Sequence, residues 1–336
     1  MKPAQGKRLY IQEVSVRDGF QIEPKFIPTE QKVALINALS RTGLAKIEVT
    51  SFTSPKAIPA LADAEAVMQR IERVPGVEYA ALVPNVRGCE RALASKVDEI
   101  NLVMSASESH NMANLRMTRE QSLAQFGEIV RQVGERVPIN ASLSTAFGCP
   151  FDGDIPDAQV LDLVARFVAL GIKRVTLCDT TGMANPAQVE RLCAAAVQRW
   201  PEIVFTAHFH NTRAMGLANA LAALEAGIDR FDASLGGLGG CPFAPGASGN
   251  VCTEDMVHMF ETMGYRTGVS LDALLEIARG LPALVEHDVP GQVMKAGPSS
   301  RRYPLPASVG SKAPQTPFAG AGVRAVDPAS TFHRGT

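Results

Sequence analysis

Residues 203–227 read IVFTAHFHNTRAMGLANALAALEAG, an apolar strand-like run followed by a helical pattern that Gly227 ends. Alternation of apolar and polar residues indicates a strand, whereas leucine and alanine recurring on one face are typical of a helix. Glycine directly after the last helical residue is a common stop signal. The stretch therefore predicts one complete strand–helix unit.

The same unit recurs along the chain at a spacing of roughly 30 residues, as in barrels built from strand–helix pairs. The predicted strands cover residues 9–16, 46–50, 77–83, 98–104, 139–145, 174–178, 203–210 and 229–234. A doubly wound sheet usually has fewer strands, and no G-x-G-x-x-G motif follows the first one. The pattern predicts a (β/α)₈ TIM barrel of the α/β class.

Two further helical patterns follow the eighth strand, at residues 253–263 and from a cap at Ser270 onward. They predict a C-terminal helical extension, so that the barrel domain spans residues 1–295. Residues 296–336 are rich in proline, glycine and serine. Because such a segment buries too little apolar surface to offset its ordering entropy, we predict a mostly disordered tail over residues 296–336.

Composition narrows the class of protein. A formal net charge of −1 gives no basic excess for binding nucleic acid. No apolar run approaches the roughly 20 residues that a membrane span needs, and residues 1–8 contain no apolar signal segment. Six scattered cysteines are typical of reduced thiols. We therefore expect a cytoplasmic globular protein with neither nucleic-acid nor membrane partners.

The strand in residues 203–210 carries an H-x-H pair. Because side chains alternate along a strand, His208 and His210 point the same way, and neutral imidazole is a common metal ligand. Such pairs also arise by chance. In barrels, however, active sites lie at the carboxyl ends of the strands, and polar residues stand at seven of the eight predicted ends. This convergence favours a metal-dependent active site.

Several of these polar segments have structural alternatives. Asp18 could form a surface ion pair with Arg17, or serve as an oxygen ligand at the barrel mouth. The glycine-rich residues 236–240 could be a flexible connection, a phosphate cradle, or a hinge that brings Cys241 over the metal. A lone cysteine is usually inert, so the role of Cys241 depends on this loop.

The combined motifs resemble those of 3-hydroxy-3-methylglutaryl-CoA (HMG-CoA) lyases, which are metal-dependent barrel enzymes. The resemblance covers about residues 9–290. It rests on six short stretches: Arg17-Asp18-Gly19, residues 47–52 (IEVTSF), His208-x-His210, residues 237–242 (GLGGCP), residues 246–250 (GASGN) and Thr253-Glu254-Asp255. The cysteine loop distinguishes the lyases from the related isopropylmalate and homocitrate synthases.

The resemblance implies retro-Claisen cleavage of HMG-CoA to acetyl-CoA and acetoacetate, a step of leucine degradation, by a homodimer. It implies Mg²⁺ or Mn²⁺ as cofactor and an acyl-CoA as substrate. The implied metal ligands are Asp18, His208, His210 and Asn250; the implied catalytic residues are Arg17, Asp18, Asp179 and Cys241; the implied substrate-binding residues are Arg17, Gln21, Glu48 and Asn111. Which carboxylate or histidine removes the substrate proton stays open.

Some positions depart from the lyase pattern. Asn211 stands where these lyases carry aspartate, Phe20 replaces a leucine, and residues 22–24 and 109–114 also differ. The alternatives are therefore a lyase for citramalyl-CoA or another 3-hydroxyglutaryl-type thioester, and a barrel that binds metal and acyl-CoA without turnover.

Overall fold

The computed structural model describes residues 6–240 and 249–305. Eight parallel strands form a closed barrel, in which each strand pairs with the next and the last pairs with the first. They are β1 (Tyr10–Glu13), β2 (Lys46–Ser51), β3 (Glu78–Leu82), β4 (Glu99–Ser105), β5 (Ile139–Ser144), β6 (Arg174–Asp179), β7 (Val204–Phe209) and β8 (Arg230–Ala233). The predicted (β/α)₈ barrel is confirmed.

Helices connect the strands and extend the chain after β8. They are α1 (Thr29–Ser40), α2 (Ala64–Arg70), α3 (Val86–Ala94), α4 (Glu108–Leu115), α5 (Arg119–Val133), α6 (Asp157–Ala169), α7 (Pro186–Arg199), α8 (Gly216–Glu225), α9 (Thr253–Thr262), α10 (Leu271–Val285) and α11 (Val293–Ala296). Helices α9 and α10 form the predicted C-terminal extension, and the short helix α11 follows them.

The hydrophobic core lies between the strands and the helices, because apolar and polar residues alternate along the strands. On β4, Ile100, Leu102 and Met104 are fully buried in this core. The intervening Asn101 instead lines a polar cavity inside the barrel, with residues of other strands that include Gln12, Glu48, Asn140, Thr176 and Asp232. This interior differs from the bulky apolar layers common in such barrels.

Local capping follows the sequence at most helix starts. Thr118 and Gln121, which have capping-box spacing in the sequence, form the capping box of α5, and Asn185 caps α7 with Pro186 in its first turn. Ser270 caps α10 as predicted. Thr29 follows Pro28 and was expected to cap α1, but Pro28 occupies the N-cap and the Thr29 hydroxyl donates to Asp63 instead.

The first strand is shorter than predicted. It ends at Glu13, and residues 15–19 form a π-helix that was expected to be partly strand. The carboxylate of Glu13 accepts the backbone N–H of Ser15 at 2.8 Å, which turns the chain away from the sheet. Single π-turns of this kind often occur at functional sites, and this one carries Arg17 and Asp18.

The chain divides into a compact unit of residues 1–297 and a second unit of residues 298–336. In the second unit the structure describes residues 298–305, and the disordered tail stays a prediction. Within the described residues, no helix is long and apolar enough to span a lipid bilayer.

Candidate active site

Three predicted metal ligands meet at the carboxyl end of the barrel. Asp18 comes from the π-helix after β1, His208 lies near the end of β7, and His210 directly follows that strand. One potential ligand atom from each residue lies within 4.8 Å of the others. The histidines thus share a face, as their spacing predicts, and the carboxylate arrives from a neighbouring part of the barrel.

The protonation states of these groups suit a cation. Burial would raise the pKa of Asp18, but the charges of Arg17, His208 and His210 lower this pKa to about 2. Burial, reinforced by the neighbouring His208, lowers the pKa of His210 to about 3. At neutral pH the site therefore offers an ionised carboxylate and a neutral imidazole, the forms that coordinate metals.

Asp232 orients His208 from behind. Nδ1 of His208 donates to the Asp232 carboxylate at 3.2 Å, across the β7–β8 register that pairs the two residues. Burial lowers the pKa of His208, but Asp232 outweighs that effect and the net pKa is raised. A carboxylate that holds one ring nitrogen leaves the other nitrogen available for a metal.

The hydrogen bonding of His210 and Asn250 also bears on whether the site could hold a metal ion. Nδ1 of His210 is buried without a hydrogen-bond partner, which is costly unless a ligand satisfies it. The Asn250 amide group donates to Asp18 Oδ2 at 2.7 Å and to the Leu238 carbonyl at 2.9 Å. The donor set therefore fits a divalent cation at Asp18, His208 and His210, while an Asn250 ligand contact stays a prediction.

Glycine allows the loop after β8 to approach this site. Gly239 has a φ of +90°, and a Cβ there would lie 2.8 Å from Asn250 Nδ2 and 3.0 Å from the Asp18 carbonyl oxygen. A larger residue would push Asn250 or the π-helix away.

Arg17 lies between two carboxylates beside the candidate metal ligands. Its Nε donates to Glu48 Oε2 at 2.6 Å, and its Nη1 donates to Asp18 Oδ1 at 2.6 Å. Burial would lower the pKa of Arg17, but the negative charges of Glu48 and Asp18 outweigh burial and raise this pKa above its usual value. The guanidinium is therefore permanently charged. A fixed cation next to the metal ligands is suited to stabilising a developing oxyanion.

Asp179 is a candidate base at the end of β6. Its Oδ1 accepts the Met183 backbone N–H at 2.8 Å, whereas Oδ2 is buried without a partner. Burial raises the pKa of this carboxyl to about 6, despite the backbone N–H groups that lower it. A carboxylate with a pKa near the working pH and one free oxygen is suited to proton transfer.

Residues 8–280 match the family model described as HMGL-like, which is well over half of the chain. The chain belongs to the HMGL-like family.

Relatives of this HMGL-like chain agree with the predicted activity. A hydroxymethylglutaryl-CoA lyase of Bacillus subtilis (strain 168) is 46% identical over 299 residues, which cover 88% of this chain and 99% of the relative. An (R)-citramalyl-CoA lyase of Chloroflexus aurantiacus is 40% identical over 299 residues, covering 86% and 94%. The solved structure of an HMG-CoA lyase from Acinetobacter baumannii, in complex with coenzyme A and 3-methylmalate, has a TM-score of 0.86 and 52% identity, covering 89% of this chain and 98% of that one.

Three other residues that were predicted to belong to the site are Gln21, Asn111 and Cys241. Gln21 is half-buried just after the π-helix. Asn111 is fully buried, and its amide bonds the Ser105 backbone N–H, the Met117 carbonyl and the Ser122 hydroxyl. Asn111 thus fastens α4 to its surroundings, and its contact with substrate stays a prediction. Cys241 lies outside the described residues.

The departures from the lyase pattern have structural explanations. Asn211 Oδ1 accepts the Gly216 backbone N–H at 3.0 Å at the start of α8, a role that an aspartate oxygen also fills. Phe20 is buried in the hydrophobic core. Residues 109–114 lie within α4. Asn211 and Phe20 therefore give no reason to assign a different substrate.

Two residues near the site, Asp232 and Asn101, were not predicted from the sequence. Asp232 and Asn101 lie on β8 and β4 in runs without a recognisable motif. The only sequence signal was their alternation with the apolar core residues of their strands, which points them into the barrel.

Glu13 accepts hydrogen bonds from the residues on both sides of residues 236–252, in the connection between β8 and α9. Its Oε1 accepts the Leu235 backbone N–H at 2.9 Å, and its Oε2 accepts the Thr253 hydroxyl at 2.7 Å. Burial raises the pKa of Glu13, and these hydrogen bonds partly offset the effect. We call this arrangement the Glu13 clasp.

A second group of possible ligand atoms, from Cys252, Glu254 and Asp255, lies near the start of α9. Asp255 accepts the backbone N–H groups of Gln292 and Val293, so it is already satisfied. Burial raises the pKa of the Cys252 thiol, and burial also raises the pKa of Glu254 to about 8. Two protonated groups make a poor cation site, so this group serves to fasten α9.

The raised pKa of Glu254 predicts a pH-dependent stability. Since its folded pKa of about 8 exceeds the unfolded value, the stabilisation is complete below about pH 4.5 and is lost as pH rises through 8. We expect Glu254→Gln to remove this loss, which is on the order of a few kcal/mol. Urea unfolding at pH 5 and pH 8 measures this change in the free energy of unfolding.

The control is Glu276→Gln, at an exposed position on α10, which should keep the wild-type pH dependence. Parallel curves of unfolding free energy against pH for Glu254→Gln and wild type would contradict the prediction.

Proposed function

We propose that this carbon–carbon lyase of the HMGL-like family cleaves HMG-CoA to acetyl-CoA and acetoacetate. The observation that carries the proposal is the grouping of Asp18, His208 and His210 with the guanidinium of Arg17 and the unsatisfied oxygen of Asp179. The names of the Bacillus and Acinetobacter relatives support this substrate. We also propose Mg²⁺ or Mn²⁺ as the cation, because carboxylate oxygen and imidazole both suit such metals.

Each residue has a distinct task in the proposed reaction. Asp18, His208, His210 and Asn250 would hold the cation, whose Lewis acidity polarises the substrate oxygens. Asp179 Oδ2 accepts the proton of the 3-hydroxyl group. The electrons of the C2–C3 bond then pass to the thioester as an enolate, and C3 becomes the ketone carbonyl of acetoacetate.

Arg17 stabilises the enolate oxygen until C2 is protonated, which yields acetyl-CoA. We propose Cys241 as the donor of that proton, and Gln21, Glu48 and Asn111 as groups that orient the substrate or its partners. The cytoplasmic location and the homodimer stay predictions.

A panel of thioesters tests the proposed substrate. Purified protein with Mg²⁺ is expected to release acetyl-CoA from HMG-CoA, with a kcat/KM well above that for (R)-citramalyl-CoA. His208→Ala, prepared in parallel, controls for contaminating activity. A higher kcat/KM for citramalyl-CoA would favour the second candidate, which the Chloroflexus relative supports. Metal binding without cleavage of any thioester would favour the non-catalytic alternative.

Replacing Asp179 tests the base. Asp179→Asn keeps the shape and the oxygen that accepts the Met183 N–H, but it cannot take a proton. We expect kcat to fall about 10²- to 10³-fold, in the usual range for losing a general base, while the Kd for Mn²⁺ changes little. Steady-state kinetics and a Mn²⁺ titration measure the two effects. A near wild-type kcat would transfer the base role to another group.

Cys241→Ala tests the proton donor. We expect metal binding to persist and kcat to fall about 10²-fold, because protonation of the enolate then depends on water. Cys193→Ala, a change at a buried cysteine in the core between the strands and helices, is the matched control and should keep kcat. Unchanged turnover in Cys241→Ala would remove Cys241 from the mechanism.

A further inference from the structure

The polar residues inside the barrel form a connected network that reaches the active site. On three adjacent strands, β4, β5 and β6, the inward positions are Asn101, Asn140, Ser142 and Thr176, and all four are buried. The strand register pairs Asn101 with Asn140 and Ser142 with Thr176. Buried amides are costly unless they are hydrogen-bonded, so the partners of each one define its role.

Both ends of the Asn101 amide group are hydrogen-bonded in this network. Its Oδ1 accepts the Asn140 amide at 2.9 Å and the Ser142 hydroxyl at 2.8 Å. Because these two donors occupy the oxygen, the nitrogen must face the other way. There Nδ2 donates to Glu48 Oε1 at 2.7 Å.

Glu48 uses its two oxygens for two different partners. Oε1 accepts from Asn101, and Oε2 accepts from Arg17 Nε at 2.6 Å, with Arg17 Nη2 also 2.5 Å from Oε2. The rotation of the carboxylate therefore determines where the guanidinium points. With Asn101 holding one oxygen, the other oxygen is fixed toward Arg17.

We propose that Asn101 is a positioning residue for the reaction. By holding the Glu48 carboxylate, it fixes the guanidinium of Arg17 in the direction of the thioester oxygen. This inference rests on the proposed function, because it assigns Arg17 to the enolate. Residues that support a catalytic group from behind commonly determine whether it is placed accurately enough to act.

The alternative is that Asn101 only fills and stabilises the barrel. Asn101→Leu is close in size but makes no hydrogen bond. If Asn101 positions Arg17, kcat for HMG-CoA should fall about 10- to 50-fold while KM and the Kd for Mn²⁺ change less than about threefold. Thr176→Val is the matched control, since it removes a hydrogen bond to Asn140 from the same network and leaves the Asn101–Glu48 bond. It should keep kcat within about twofold.

A double-mutant cycle separates positioning from general destabilisation. If Asn101 acts through Glu48, adding Asn101→Leu to Glu48→Gln should cost little further kcat. Additive losses, or an equal loss in Thr176→Val, would overturn the inference in favour of a structural role. An unchanged kcat in Asn101→Leu would also overturn it.

A measurement independent of turnover distinguishes this inference from the proposed function. The Nε proton of Arg17, observed by ¹⁵N NMR, should exchange with solvent about tenfold faster in Asn101→Leu than in wild type or Thr176→Val. Wild-type protein that cleaves no thioester refutes the proposed function, and the exchange rate then decides the positioning role alone. An exchange rate equal to that of wild type overturns the positioning role in either case.

Discussion

Replacing Arg17 with glutamine is expected to lower kcat for HMG-CoA about 10³-fold, with a much smaller change in KM. One preorganised hydrogen-bond donor to an oxyanion contributes about 10²- to 10³-fold to kcat, and a guanidinium held in place adds a full charge. Arg17 is half-buried and held by ion pairs with Glu48 and Asp18, so its guanidinium is already oriented before the reaction. Steady-state kinetics with Mg²⁺ measure the loss.

Arg17→Lys separates the charge of the side chain from its forked geometry. Lysine keeps the cation but cannot bond Glu48 and Asp18 through separate nitrogens of one planar group. We expect a loss of about 10²-fold, between wild type and Arg17→Gln. A Tm and a Mn²⁺ titration show whether each variant keeps its fold and its metal. A kcat within tenfold of wild type in Arg17→Gln would contradict the assignment of Arg17 to the enolate.

His210→Ala is expected to abolish detectable Mn²⁺ binding in the micromolar range, and turnover with it. The variant removes one of three grouped ligands. It also removes a ring nitrogen, Nδ1, that is buried without a hydrogen-bond partner. Loss of that nitrogen carries no hydrogen-bond penalty, so the metal-free variant should lose stability only through the small cavity. Electron paramagnetic resonance with added Mn²⁺ measures the binding.

His208→Ala provides the comparison. It should also lose the metal, but it additionally leaves the Asp232 carboxylate without its imidazole donor. We therefore expect metal-free His208→Ala to be about 1–3 kcal/mol less stable than metal-free His210→Ala. Tight Mn²⁺ binding by His210→Ala would exclude this residue from the metal site.

The barrel and the grouping of three candidate metal ligands were predictable because both depend on short-range patterns and on one rule about where barrel sites lie. Alternation fixed the shared face of His208 and His210, and the rule that sites lie at strand ends joined them to Asp18, almost 200 residues earlier in the chain. Local capping signals likewise determined the starts of α5, α7 and α10.

Other features depend on partners that the sequence does not reveal. The π-helix that carries Arg17 follows from a hydrogen bond of Glu13 to the Ser15 backbone. The roles of Asp232 and Asn101 follow from the barrel register, which pairs β8 with β7 and β4 with β5. Asn211 suggested a different substrate only because the sequence does not reveal its contact with the backbone N–H of Gly216.

The Glu13 clasp has a consequence for protein engineering. Because one carboxylate of β1 holds Leu235 and Thr253, the two attachment points of the intervening segment are fixed by the barrel itself. The sequence between the two anchors, residues 236–252, is therefore the unit to exchange when the specificity of one lyase is transferred to another. A graft limited to that segment leaves both anchors native, whereas a graft that replaces Thr253 breaks one of them.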